Sequence, residues 1–195
     1  MSFFHRTFSS ALLSSMLVTP AFVHAQPQQQ FFDQLKVYCG QAFAGKVSKS
    51  AASDQDMLGK PLVMHVRQCS DTEVKVPFYV GADRSRTWVI SQKANGLRLK
   101  HDHRHADGSE DVVTQYGGDT SADGTAIRQE FPVDAYSKQL FSANGRAVSN
   151  SNVWYVEIVP GKVYRYGLTR PGRQFEVEFD LTKPIKAPAA PWGHP

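Results

Sequence analysis

From Leu62 onward, apolar and polar residues alternate with period two, and turn residues interrupt the alternation at short intervals, the pattern of half-buried strands joined by tight turns. Before that point the period is different. Gln26 to Gln30 is a polar leader, and Phe31, Leu35, Tyr38 and Ala42 then recur three and four residues apart, which predicts a short amphipathic helix that Gly45 can end. Residues 50–60 are rich in Ser, Asp and Gly and read as a loop. The strands follow as Leu62 to Gln68, Glu73 to Val80, Arg86 to Lys93, Leu97 to His105, Val112 to Gly117 and Thr125 to Phe131. Asp134 can cap a helix through Phe141, with Asn144-Gly145 as its stop. Val153 to Val159 and Lys162 to Thr169 form a hairpin around Pro160-Gly161. After the Arg170-Pro171-Gly172 turn, Phe175, Val177, Phe179 and Leu181 alternate with acids. The tail from Lys183 is proline-rich and predicted to be extended and poorly ordered.

Sequential hairpins make an antiparallel meander. A long meander closes into a barrel or folds into two layers. Few long crossovers interrupt this one, which predicts an all-β domain over residues 26–182: a calycin-like up-and-down barrel with a short N-terminal helix and one inserted helix. The alternatives are a two-layer β-sandwich and a cupin-like barrel.

Composition narrows the setting. The chain has 195 residues, 41% hydrophobic and 21% charged, which suits one globular domain with a real core. Arg6, the apolar run Ala11 to Val23 and the small residue Ala25 read as a signal peptide over residues 1–25, too short to serve as a membrane anchor. The chain is therefore expected to be exported, periplasmic or secreted, with no transmembrane segment once the signal is removed. Cys39 and Cys69 are then expected to form a disulfide. The formal charge of +4 falls by one when Arg6 is removed, and no basic stripe with interleaved aromatics is present, which argues against nucleic acid as a partner.

Candidate chemistry concentrates in Gly96 to Gly118, where His101, His103 and His105 stand at period two on one strand. Two-residue turns at Asn95-Gly96 and Asp107-Gly108 set a register. They place His105 opposite Glu110 and His101 opposite Thr114, and they set Arg86, Trp88 and Ile90 beside His105, His103 and His101. One face then carries Trp88, Ile90, Leu97, Leu99, Val112, Tyr116 and the histidines. The other carries Arg98, Lys100, Asp102, Arg104 and Asp111 and faces water. A histidine row on an apolar face needs partners for its ring nitrogens, which an open rim would supply, with His101 deepest and His105 nearest solvent. Three uses fit: a divalent transition metal on His103, His105 and Glu110 with His101 nearby; an acid–base histidine tuned by burial; and a hydrogen-bonded rim without chemistry. Trp88, Tyr116 and Arg86 are the expected ligand contacts, Arg86 lying in the Asp83-Arg84-Ser85-Arg86 segment that can hold an anion. No GxSxG elbow, P-loop or GxGxxG is present.

The segment HRHADGSEDVVTQYGG, residues 103–118, resembles the first cupin motif, and the resemblance implies His103, His105 and Glu110 as metal ligands and Gly117 as the closing glycine. Gly96 is one position out of the motif's upstream place, and no second cupin motif with its further histidine follows. The whole chain also resembles a family of exported bacterial β-proteins that share the HDHRH…YGG segment and the PGR turn, a resemblance that implies export. Three functions follow as expectations: a protein binding a small molecule inside the barrel, a cupin-like metal enzyme, or a structural or interaction protein of the cell envelope.

Overall fold

The structure, a computed structural model, describes residues 1, 26–51 and 54–194. The signal-peptide reading of residues 1–25 lies outside the described residues apart from Met1. One antiparallel sheet holds all the strands: β1 Ala42–Lys49, β2 Leu62–His65, β3 Gln68–Cys69, β4 Glu73–Val80, β5 Asp83–Lys93, β6 Gly96–His103, β7 Tyr116–Asp119, β8 Arg128–Pro132, β9 Val153–Val159, β10 Val163–Arg170 and β11 Arg173–Ile185. The helices are α1 Pro27–Lys36 and α2 Ala135–Ala143. The sheet runs β7-β6-β5-β4-β2-β1-β11-β10-β9-β8, with β3 paired to β4. First and last strands are thus neighbours, and the order is an up-and-down barrel whose single seam lies between β7 and β8. The expected barrel, N-terminal helix and inserted helix are all present.

Several local readings need correction. α1 starts at Pro27, inside the expected polar leader, because proline suits the first helical position and Phe31, Phe32 and Leu35 are all buried. The chain then turns and enters β1, a strand the periodicity did not announce. The sequence AFAGKVSK is weakly strand-forming, but its backbone is paired on both sides, to β2 and β11. Gly45 is no helix stop. It sits where the Phe179 ring and the Glu178 carbonyl cross the strand, a space any Cβ would fill. The tail is not loose. β11 continues to Ile185, pairing Pro184 with Phe43, and the remaining residues strap the outer wall. Pro191 is buried there, and the Trp192 amide donates to Arg84 O at 3.1 Å, while Tyr79 Oη donates to Ala189 O and Arg84 Nη1 to Ala190 O.

The two ends differ. α1 packs Phe31, Phe32 and Leu35 into the end bounded by the β5–β6 and β9–β10 turns, and Tyr38 Oη there accepts from Gly161 N. The Cys39–Cys69 disulfide is formed as expected and ties the end of α1 to β3. A closed loop of 30 residues stabilises by about 3–4 kcal/mol in the chain-entropy view. The opposite end, bounded by the β4–β5, β6–β7 and β10–β11 turns, opens into a cavity.

Candidate functional site

Along the barrel wall, inward side chains change in character from the α1 end to the open end. β6 runs Leu97, Leu99, His101, His103; β5 runs Ile90, Trp88, Arg86; β11 runs Phe179, Val177, Phe175, Arg173. Period two makes each set one face, and the apolar half is fully packed. Where the titratable residues begin, a cavity of about 440 Å³ opens. Its floor is Trp88, His101, Tyr116, Trp154 and Tyr166, and Arg86, His103, Asp111, Arg146 and Arg173 stand around its rim. Phe141 of α2 leans in from one side, 5.2 Å from the Tyr116 ring.

The register that builds this site differs from the expected one by a full pair on each side. The β5–β6 turn is Ala94-Asn95, with Lys93 opposite Gly96, so Trp88 lies beside His101 and Arg86 beside His103. On the other side Asp107-Gly108 is no two-residue hairpin. Residues 104–115 form a longer loop whose only bridge is Arg104 to Glu110. Gln115, at φ 57°, takes the left-handed conformation that non-glycine residues rarely adopt. Its amide closes on His101 O at 2.7 Å, and this kink delivers Tyr116, not Thr114, opposite His101. The face survives the slip because a shift of two residues preserves strand polarity, but the partners change. Val112 is turned out to solvent, and Val113 takes the inward place.

This geometry gives each histidine a different fate. His101 is buried, and its Nδ1 donates to Tyr116 O at 3.0 Å. Nε2 therefore accepts, and Tyr166 Oη donates to it at 2.6 Å. The ring stacks on Tyr116 with centroids 4.5 Å apart. Burial lowers its pKa to about 3, so it stays neutral. His103 meets Tyr116 Oη through Nε2 at 3.2 Å, and burial with the nearby Arg86 lowers its pKa to about 4. Burial likewise raises Tyr116 to about 12. His105 is exposed in the loop. Glu110 is exposed as well, and its Oε1 is held by Arg104 Nη2 at 3.0 Å and by Gln115 Nε2 at 3.2 Å. The structure therefore does not bring His103, His105 and Glu110 together. Among the described residues no group of three His, Cys, Asp or Glu side chains is placed to hold a metal ion. The donor set implied by the cupin resemblance does not fit a metal here, because the long loop carries two of its three members away from the cavity.

Trp88, Tyr116 and Arg86 all reach the cavity. Trp88 stacks on Tyr166 with centroids 4.2 Å apart, and Arg86 is paired with Asp83. The glycines after Tyr116 serve the seam. A Cβ on Gly117 would strike Leu99 O, and one on Gly118 would strike Pro132 O. Their absence lets β7 lie close to both neighbours. The free edge of β7 is satisfied by α2: Ser137 Oγ donates to Gly117 O and accepts from Gly117 N, and Asp134 N donates to Gly117 O. Asp134 also caps α2, as expected, by accepting from Ser137 N.

Four contributors lie outside the sequence reading. Tyr166 and Trp154 come from β10 and β9, Arg146 from the turn after α2, and Arg173 from the start of β11. The inward alternation of β9 and β10 was readable, but which residues face His101 depends on barrel closure. The outer face of β6 is also changed. Asp102, expected in water, is buried under the tail, between Arg104 Nε at 2.9 Å and His194 Nε2 at 2.7 Å. Asp119, the last residue of β7, is clasped by Arg98 through Nε and Nη2 at 2.6 and 2.8 Å. Comparison with family models, curated proteins and solved structures returns no match to this chain.

Proposed function

We propose that this protein is exported and binds a small molecule in the open end of its barrel. The carrying observation is the cavity of about 440 Å³, a size common among small-molecule sites, with an aromatic floor and a polar rim. A barrel packed only for stability would continue its aliphatic filling to the end; here the last inward residue of each of three strands is His103, Arg86 or Arg173. The neutral His101 and its phenol partners offer oriented hydrogen-bonding groups without charge. Support for an oxidising destination, the periplasm or outside, comes from the Cys39–Cys69 bond. No helix among the described residues is long and apolar enough to cross a membrane.

The test is a screen of small-molecule mixtures by native mass spectrometry, with tryptophan emission as a second readout, since Trp88 and Trp154 line the cavity. The expected result is a one-to-one adduct that shifts the emission and is lost in Leu168→Phe, which narrows the cavity. A folded protein that retains no compound and shows no emission change across a broad library would sink the proposal.

A further inference from the structure

We infer that the cavity selects flat aromatic carboxylates, with rim arginines taking the carboxylate and the aromatic floor taking the ring. This inference rests on the cavity being a ligand site.

Its basis is a difference in pairing among the rim cations. Arg86 is engaged by Asp83, and Arg173 by Asp54 through Nη2. The Nε of Arg173 is nevertheless buried with no acceptor, a donor that a ligand oxygen would satisfy. Arg146, also on the rim, forms no ion pair among the described residues. Behind them Arg170 is held only by neutral oxygens, Ser149 Oγ at 3.1 Å and Asn152 Oδ1 at 3.3 Å. It is close enough to Arg173 for like-charge repulsion to lower its pKa, after the larger effect of burial. Arg146, Arg170 and Arg173 thus gather about the Ser149–Asn152 segment with one carboxylate, Asp54, bonded among them.

Two further carboxylates, Asp56 and Asp111, line the mouth, and neither forms an ion pair with a rim arginine among the described residues. Asp111 Oδ1 accepts from Val113 N at 2.7 Å, and Asp56 is exposed. The histidines are neutral and add no charge. The arginines also act inward. Burial raises the pKa of Tyr116 and of Tyr166; Arg86 and Arg146 act against that rise at Tyr116, where Asp111 adds to it, and Arg173 and Arg86 act against it at Tyr166, where the neighbouring tyrosines add to it. Arg86, Arg146 and Arg173 line the same cavity as the two phenols of the floor. A guanidinium fork matches a planar carboxylate in a bidentate fashion. A floor of Trp88, Tyr116, Trp154 and Tyr166 suits an aromatic ring beneath it.

The test is calorimetric titration of the full chain with 2-naphthoate, 2-naphthamide and 2-naphthylmethylammonium. The naphthoate is expected to bind at least about tenfold more tightly than the amide, the worth of one charge-assisted hydrogen bond, and the ammonium more weakly still. Arg146→Gln and Arg173→Lys should each weaken naphthoate about tenfold while leaving the amide unchanged; lysine keeps a cation beside Asp54. Rising salt should weaken naphthoate alone. Equal binding of acid and amide, or variants that do not alter their ratio, overturns the charge selection and leaves the cavity as a binding site. If the three probes fail while the unbiased screen yields other ligands, the aromatic-carboxylate class is overturned. If the screen is also blank, the binding reading falls and takes this inference with it.

Discussion

At the α1 end of the barrel, the inward side chains are hydrocarbon and fully packed; at the α2 end, the same strands finish in His103, Arg86 and Arg173 around an open cavity. The closed end is fastened by a helix, a disulfide and the Tyr38–Gly161 hydrogen bond. The open end is held by polar pairing, His101 with Tyr166 and Arg173 with Asp54. Packing at one end confers stability, and the polar lining at the other borders the cavity proposed to take a ligand. The tightest apolar packing and the proposed binding site thus fall at opposite ends of the barrel axis.

The sharpest way to break this comparison is truncation of matched aromatics. Phe31→Ala at the closed end should cost about 3–5 kcal/mol, since no rearrangement can refill a packed site. Phe175→Ala, which lines the cavity, should cost clearly less because space already adjoins it. Urea denaturation of both variants checks this, and equal losses would mean that the two ends are equally packed. Next in size, replacing both cysteines by serine should cost about 3–4 kcal/mol without altering ligand affinity, read from unfolding midpoints and titration in parallel.

The pH dependence probes chiefly the open end, with His65 of β2, whose pKa burial also lowers, adding to the same fall. His101 and His103 have folded pKa values lowered to about 3 and about 4 from the usual 6.5. Between those values and 6.5 the unfolded chain binds protons that the folded chain does not. Stability contributed by these neutral rings is thus present above pH 6.5 and is lost as pH falls below it. The slope approaches about 1.4 kcal/mol per pH unit for each ring. Stability curves between pH 7 and about 4.5 should show this fall, and His103→Gln should flatten part of it; an unchanged curve would mean that His103 is not desolvated. The smallest effect concerns Arg146. Because it is exposed and unpaired among the described residues, Arg146→Gln should change stability by less than about 0.5 kcal/mol while weakening the naphthoate complex. A large stability loss would assign Arg146 to structure.

Much of the barrel was legible in the chain. Alternation marked β4, β9 and β10 closely, Asp134 marked the start of α2, and the turn glycines marked the meander. What escaped was β1, whose small and polar residues carry no period-two signal and whose pairing is made by strands from both ends of the chain. The site was legible in part for the same reason. Period two alone puts His101 and His103 on the apolar face with Trp88, whatever the exact turn, because the slips that occurred were of two residues.

Local pattern thus determined the strands, their inward faces, the inserted helix and the two cysteines available for a bond, since each depends on neighbours a few residues away. Tertiary structure decided the rest: the seam at β7 and β8, the tail strapped over Asp102, the removal of His105 and Glu110 from the cavity, and the arrival of Tyr166, Arg146 and Arg173 beside the histidines. Those depend on closure of the barrel and on the left-handed kink at Gln115. Closure brings together residues far apart in the chain, and no local periodicity encodes the distance between them.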